Sequence, residues 1–399
     1  MTRSLAVAAV ALLFVSCQSQ QAPAGETIAI ASDEGPANYA PGVTWEHAIR
    51  FAIQRAGRVG EFNLVYRPYD VSLGGEQNAL RGHENVERAI EDTDVLGIVG
   101  PFSTSLSLAE LPDGNHARLA MVSPTATGNC LTFTGPTCSV PLSYLQPTGS
   151  VTFFRLAPTD FWQGRATAAF AIKNGLRSVA IFNEFGEGGG LPYITGFRDV
   201  FEQSGGKVVL VEDLLAGTTS FSTFLGDARR RGADAVYAIA QATDGACLAA
   251  LQMKTLLPGA AFLANDGITF DPQCIKDAGT DAAEGIVATF PDVDPTSSAA
   301  LKQNPQVQAY LKAYPKPSDV DEYTFAAYDA TNLLIDAIRR AIKQNNGGRP
   351  SRQQVVGAVA AENYTGVTGT YSFDANGDAK SPLMSIYRVE GGKWVRIGP

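Results

Sequence analysis

The sequence predicts an α/β protein built as two similar lobes, and three observations carry this. From residue 27 onward, short continuously apolar runs alternate with longer segments of helical period. Nine such runs lie before residue 292, more than one small sheet holds. The alternation pauses once, over a stretch rich in Thr, Gly and Pro at 126–152, and then restarts. Strand–helix alternation of this kind gives parallel sheets with helices on both faces.

The chain has 399 residues, room for two or three domains at ~100–200 residues each. Apolar residues make up 45% and charged residues 18%, a composition too apolar for disorder and without the repeat of a fibre. Lys and Arg total 31 against 40 Asp and Glu, a net charge of −9. An acidic surface disfavours nucleic-acid binding, which needs bases to neutralise phosphate. His47, His83 and His116 are scattered, and the sequence has no HExxH, CxxC, GxSxG or GxxxxGK[ST]. The common zinc sites, the nucleophile elbow and the phosphate loop are therefore not encoded, and no cofactor is expected.

The elements follow in order. Residues 1–17 read MTRSLAVAAVALLFVSC: Arg3 supplies a positive start, and residues 5–15 are apolar. That run is shorter than the ~18–20 residues that span a bilayer and has the shape of a signal peptide. A small residue directly before Cys17 resembles a bacterial lipoprotein signal, with Cys17 lipidated as the new N-terminus. Residues 18–25 (QSQQAPAG) are a polar tether. Four cysteines remain: Cys130, Cys138, Cys247 and Cys274. Two disulfides are expected in an oxidising compartment, and three pairings are formally open. The local pairs Cys130–Cys138 and Cys247–Cys274 are preferred, each worth roughly 2–4 kcal/mol on the loop-entropy model.

The apolar runs are TIAIAS (27–32), NLVYRPYD (63–70), VLGIVGP (95–101) and LAMVSP (119–124), then SVAIFNE (178–184), KVVLVEDL (207–214), AVYAIAQ (235–241), AFLAND (261–266) and GIVATFP (285–291). Such runs suit strands buried on both faces. Trp45, Ile49, Ala52, Ile53 and Ala56 make a 3.6-residue stripe over 41–57, and a longer stripe runs from Tyr323 to Ile342. The tail VTGTYSFD (367–374), LMSIYRVE (383–390) and KWVRI (393–397), punctuated by turn residues, reads as a β-meander.

Ligands of open α/β sheets bind beyond the carboxyl ends of the strands. VLGIVGP runs into Phe102, Ser103, Thr104 and Ser105, hydroxyls at a helix start where free N–H groups favour an anion. LAMVSP runs into Thr125 and Thr127, a second hydroxyl-bearing turn. SVAIFNE runs into FGEGGG (185–190), and AFLAND ends on Asp266, an acid able to hold an ammonium.

These residues, with their surroundings, resemble the type I periplasmic binding proteins of the branched-chain amino acid (Leu/Ile/Val) and amide receptor group. Eleven segments match in family order, among them EGPANYAPG (34–42), LGIVGPFSTS (96–105), MVSPTAT (121–127), FRLAPTDFWQGRATAAF (154–170), NDGITFDP (265–272), FAAYDATNLL (325–334) and GVTGTYSFDANGD (366–378). The resemblance covers about residues 27–397. It implies two Rossmann-like lobes joined by three hinge crossovers near 155–158, 289–292 and 364–368. The first lobe would take 26–156 and 291–365, the second 157–290 and 366–399. A ligand cleft between them would close as a trap and deliver its guest to an ABC-type membrane importer.

Carried over by residue, the resemblance implies that Thr104 and Ser105 bind a ligand carboxylate. Thr125 through its backbone and Thr127 through its hydroxyl would grip carboxylate and α-amino group. Asp266 would face the ammonium. Tyr39, Phe185, Gln241 and Trp162 would line or cover the cleft. The expectation is thus a non-enzymatic, lipid-anchored solute receptor outside the cytoplasm, for an amino acid or a related small amide or carboxylate. The alternative is the same fold serving as a non-transport envelope lipoprotein, a regulator of a cell-wall enzyme or a ligand sensor.

Overall fold

The structure is a computed structural model that describes residues 25–34, 40–73, 76–135, 138–291, 302–381 and 383–398. The leader, Cys17, the tether up to residue 24 and Tyr39 lie outside the described residues. Two sheets form, as the restart of the pattern predicts. The first runs Arg58–Val59, Phe62–Asp70, Thr27–Glu34, Val95–Val99, Ala120–Ser123, Phe153–Arg155. Its Arg58–Val59 edge pairs antiparallel in a tight hairpin, and the other pairings are parallel. The second runs Lys207–Asp213, Ser178–Asn183, Ala235–Ile239, Ala261–Ala264, Val287–Phe290, Ser385–Glu390, Lys393–Gly398. Its first five strands are parallel and the last two are added antiparallel.

Strands apolar on both faces need cover on both, and each sheet has it. On one face of the first sheet, Trp45, Ile49 and Ile53 from helix Ala40–Ala56 meet Leu333, Leu334 and Ile338 from helix Thr324–Gln344. This is the pairing of the two stripes read from the sequence. Gly97 makes room for it, because a Cβ there would lie 2.9 Å from the Leu334 methyl groups. On the other face, helices Ala79–Glu91 and Thr104–His116 bury Val86, Ala89 and Leu111. In the second lobe, helices Asp160–Lys173 and Gly186–Gln203 cover one face, and Ser222–Arg230, Leu248–Leu256 and Pro272–Ala278 the other.

The chain passes between lobes three times: between Phe153–Arg155 and Asp160–Lys173, between Val287–Phe290 and Pro305–Ala313, and ahead of Ser385–Glu390. The third passage comes later than residue 366. Val367, Tyr371 and Phe373 are buried in the first core, and both oxygens of buried Asp329 take the backbone N–H groups of Val367 and Thr368. The tail is accordingly a two-strand hairpin, Ser385–Glu390 with Lys393–Gly398, and not a three-strand meander. The segment read as the meander's first strand pairs instead in a separate short hairpin, Tyr364–Thr365 with Thr370–Tyr371.

The first and third passages are tied together inside the first lobe. Arg155 is wholly buried and donates from Nε to Asp378 Oδ1 at 2.7 Å and from Nη1 to the Gly128 carbonyl at 2.8 Å. Gly377 has φ +91°, and a Cβ there would lie 2.1 Å from the Phe153 carbonyl oxygen, so only glycine lets the two backbones meet. Both local disulfides form, Cys130–Cys138 and Cys247–Cys274.

Candidate functional site

In the first lobe the site grows from two strand tips. Beyond Val95–Val99 the chain turns through Gly100 and Pro101 to Ser103. Ser103 caps helix Thr104–His116 by accepting the Leu106 N–H on its Oγ. Thr104 is the first helical residue, and its Oγ1 accepts the Gly128 N–H at 3.1 Å. Gly128 must be glycine here, since a Cβ would lie 2.4 Å from the Thr104 methyl carbon. Ser105 is exposed beside it, its hydroxyl 3.1 Å from Ser103 Oγ. Beyond Ala120–Ser123, the Thr125 hydroxyl donates to the Phe102 carbonyl. The Thr125 backbone N–H in turn reaches Ser123 Oγ at 3.4 Å. Phe102 itself stacks on Trp45 at 4.4 Å, so the tip is anchored in the core.

Thr127 joins this tip to the second lobe. Its carbonyl accepts the Asp160 N–H at 3.1 Å, and its side chain favours the ionised form of the Asp160 carboxyl. Asp160 opens helix Asp160–Lys173 and is only 6% exposed. Its Oδ1 has no hydrogen-bond partner among the described residues. Asp266 stands two residues past strand Ala261–Ala264, and its Oδ1 accepts the Tyr193 hydroxyl at 3.0 Å. Gln163 lies between the acids, donating from Nε2 to Tyr193 Oη at 3.3 Å and accepting the Asp266 N–H on Oε1 at 3.4 Å.

The electrostatics are those of two carboxyl groups sharing one pocket. Burial, then the charge of Asp266, push Asp160 up to about 7, against the opposing pull of Thr127, Tyr193 and Arg155. Burial raises Asp266 as well, opposed by hydrogen bonds from Gln163 and Tyr193. Burial and then the two acids push the Tyr193 hydroxyl well above its ordinary range, so it remains a donor. Arg155, whose charge reaches Asp160, has its ion pair with Asp378. The pocket therefore holds more acid than it neutralises.

Thr104 and Thr125 are thus bonded within the first-lobe tip, Thr127 meets Asp160 across the lobes, and Asp266 is bonded to Tyr193 and Gln163. Phe185 and Gln241 sit at the margin: the Phe185 ring is 6.3 Å from Tyr193, and the Gln241 amide lies over Gly267, where a Cβ would come within 2.9 Å of its Oε1. Trp162 is elsewhere. Asp160, Gln163 and Thr167 share one face of their helix, and Trp162 points from the opposite side into a groove with Pro158, Arg165, Ala166, Ala169, Val200 and Met384. The Arg165 guanidinium lies 5.2 Å from its ring. Asp160, Gln163 and Tyr193 were not anticipated. The signal was present for the first two: polar residues at 160, 163 and 167 draw a stripe on a helix whose Ala168 and Ala171 are buried.

Two lobes with three crossovers, and polar groups at their facing strand tips, define the class of solute-binding receptors. The sequence matches the model of the family described as periplasmic binding protein over residues 29–393. The chain belongs to that family, whose members act outside the cytoplasm. It is similar to the leucine-, isoleucine-, valine-, threonine- and alanine-binding protein of Pseudomonas aeruginosa, 26% identical over 84% of this chain and 81% of that one. Among solved structures it resembles a leucine-binding protein of Thermotoga maritima, with TM-score 0.72 and 24% identity over 93% of this chain and 98% of that one. It also resembles a solute-binding protein of Rhodopseudomonas palustris in complex with p-hydroxybenzoic acid, with TM-score 0.71 and 20% identity over 94% of this chain and 96% of that one.

Proposed function

We propose that this chain captures an α-amino acid, or a related small molecule with an acid and an ammonium group, between its lobes and delivers it to an ABC-type importer. It does no chemistry on the ligand, and it is held at the outer face of the cytoplasmic membrane by a lipid on Cys17. Thr104, Ser105 and the backbone at Thr125 bind the carboxylate. Thr127, Asp160 and Asp266 bind the ammonium. The observation that carries the reading is the pair Asp160 and Asp266 around Tyr193, acid in excess of any cation the described residues supply. An aromatic acid such as the Rhodopseudomonas protein holds has a carboxylate but no ammonium. It would leave both acids unpaired in a buried place, which is costly.

Charge-assisted hydrogen bonds contribute roughly 1.5–3 kcal/mol each. Four or five, less the cost of ordering and lobe closure, support micromolar binding, about −8 kcal/mol. Closure follows because the ligand touches both lobes only when they are closed. The test is a thermal-shift panel on ligand-stripped mature protein, pairing each amino acid with its deaminated analogue and including p-hydroxybenzoate. The expected result is a shift with an amino acid and none with its deaminated partner. A shift with aromatic acids alone, or none with any amino acid at millimolar concentration, overturns the assignment.

A further inference from the structure

A second pair of acids lies behind the first-lobe tip and takes no part in the contacts above. Asp33, the penultimate residue of strand Thr27–Glu34, is 1% exposed, and Glu110, in the middle of helix Thr104–His116, is fully buried. They meet over Gly82 of helix Ala79–Glu91. A Cβ on Gly82 would lie 2.5 Å from Glu110 Oε1 and 3.3 Å from Asp33 Oδ2, so the glycine opens the space they occupy. The two carboxyl groups are close enough that each shifts the other's ionisation. Asn85 Nδ2 donates to Asp33 Oδ1 at 2.8 Å. No donor among the described residues reaches Asp33 Oδ2 or either Glu110 oxygen.

Among the described residues, the charged groups nearby do not supply a counter-ion. Asp70, at the end of strand Phe62–Asp70, adds negative charge to Asp33. Arg88 is turned to Asn85 Oδ1 at 3.2 Å. His83 faces Asp113 at 2.8 Å and Glu87 at 3.8 Å. Two ionised carboxylates in contact in such a place repel strongly, and one proton turns the contact into a short, favourable hydrogen bond. Burial pushes Asp33 up to about 7, and burial with the Asp33 charge pushes Glu110 well above the carboxylate range. Both shifts favour a proton held between the two carboxyl groups.

We infer that Asp33 and Glu110 share one proton and so clamp the helix that begins at Thr104 to the tip of the first strand, which makes Glu110 a positioning residue for the carboxylate pole. The inference rests on the function proposed above for that pole. The clamp also backs the turn into the helix: a Cβ on Gly100 would lie 3.5 Å from the Asp33 carbonyl oxygen. Both acids bind their proton more tightly folded than unfolded. Their contribution to stability is complete below the unfolded carboxylate range and is lost as pH rises, through about 7 for Asp33.

The test uses the ligand-free mature protein and the variants Glu110→Gln, Glu110→Ala and Asp33→Asn. Glutamine donates to Asp33 without titrating. Between about pH 5 and pH 9 the wild-type melting temperature should fall by about 5 °C more than that of Glu110→Gln. Infrared difference spectra between the two at pH 7 should contain a protonated-carboxyl band from the wild type. Hydrogen exchange at the start of helix Thr104–His116 should accelerate in Glu110→Ala and be rescued in Glu110→Gln. If Glu110→Gln does not fold, Asp33→Asn serves the same comparisons. Parallel pH slopes, no carboxyl band, or equal exchange in the alanine and glutamine variants overturn the inference. So does a stability gain from calcium or sodium salts that Glu110→Gln abolishes, since a cation would then stand where the proton is placed. These readouts need no ligand, so an amino-acid panel without a binder defeats the proposed function and leaves the clamp to be judged separately.

Discussion

The two halves of the site are provisioned in opposite ways. In the first lobe, the Thr104, Ser123 and Thr125 hydroxyls are already engaged: Thr104 accepts from Gly128, Ser123 donates to the Pro101 carbonyl, and Thr125 donates to the Phe102 carbonyl. That half is neutral, locked and ready before any ligand arrives. In the second lobe, among the described residues, Asp160 Oδ1 has no hydrogen-bond partner and Asp266 has hydrogen bonds but no ion pair. The first half provides geometry, and the second holds two buried acids whose ionised forms a cationic guest would favour. A group that binds only the native state stabilises it by mass action. The second half is therefore where ligand, stability and pH are coupled.

The largest expected effect separates the halves most sharply. Asp160→Asn and Asp266→Asn should each weaken amino-acid binding by ~150-fold or more, because a buried ion pair that loses one partner costs roughly 3–5 kcal/mol. The ligand-free melting temperature should stay level or rise, since a buried charge is removed. Calorimetry and thermal melts on the same samples check both. A fall in both together would erase the distinction between the halves. The wild type carries a matching pH signature. Asp160 holds its proton up to about 7, so ligand-free stability is lost as pH rises from the ordinary carboxylate range through about 7. A ligand ammonium favours ionised Asp160, so binding near neutral pH should release protons. Titration in buffers of different ionisation enthalpy measures that release, and Asp160→Asn should abolish it.

The first half should behave otherwise. Thr104→Val removes the acceptor for the Gly128 N–H and a donor to the carboxylate while keeping the shape. A net hydrogen bond is worth about 1 kcal/mol, so affinity should fall ~5- to 10-fold and stability should drop by about 1 kcal/mol with it. Stability and affinity move together here, where the acid variants pull them apart. A Thr104→Val protein that binds weakly but melts unchanged would mean that the first half is not preformed.

What the sequence made legible follows from range of interaction. Strands apolar on both faces and the stripes from Trp45 to Ala56 and from Tyr323 to Ile342 are local patterns, and both appear as read. Thr104, Thr127 and Asp266 stand at strand tips or just beyond, and a tip is where a strand–helix pattern ends. Tyr193 was hidden because it lies inside a helix after Pro192, where nothing local distinguishes a core tyrosine from one aimed at two acids. Asp160 is an acid at a helix start, an ordinary place for one that draws no attention. Its burial depends on Thr127 from the other lobe. The late third passage was illegible for the same reason: Val367, Tyr371 and Phe373 alternate like a strand, and only Asp329 and the first core show which lobe they fill.

The smallest effect tests the edge of the second half. Trp162 is 46% exposed and stacked by Arg165, which is itself paired with Asp199. Helical geometry sets Trp162 about 200° around the axis from Asp160, two residues away at ~100° each. With that face turned into the groove of Val200 and Met384, Trp162 cannot share a wall with Asp160 in this arrangement of the lobes. Trp162→Ala should change amino-acid affinity by less than ~3-fold, within the range of surface substitutions. A titration that finds a loss above ~10-fold would move the ligand toward the helix face carrying Arg165, and the unneutralised acids at Asp160 and Asp266 would then need another explanation.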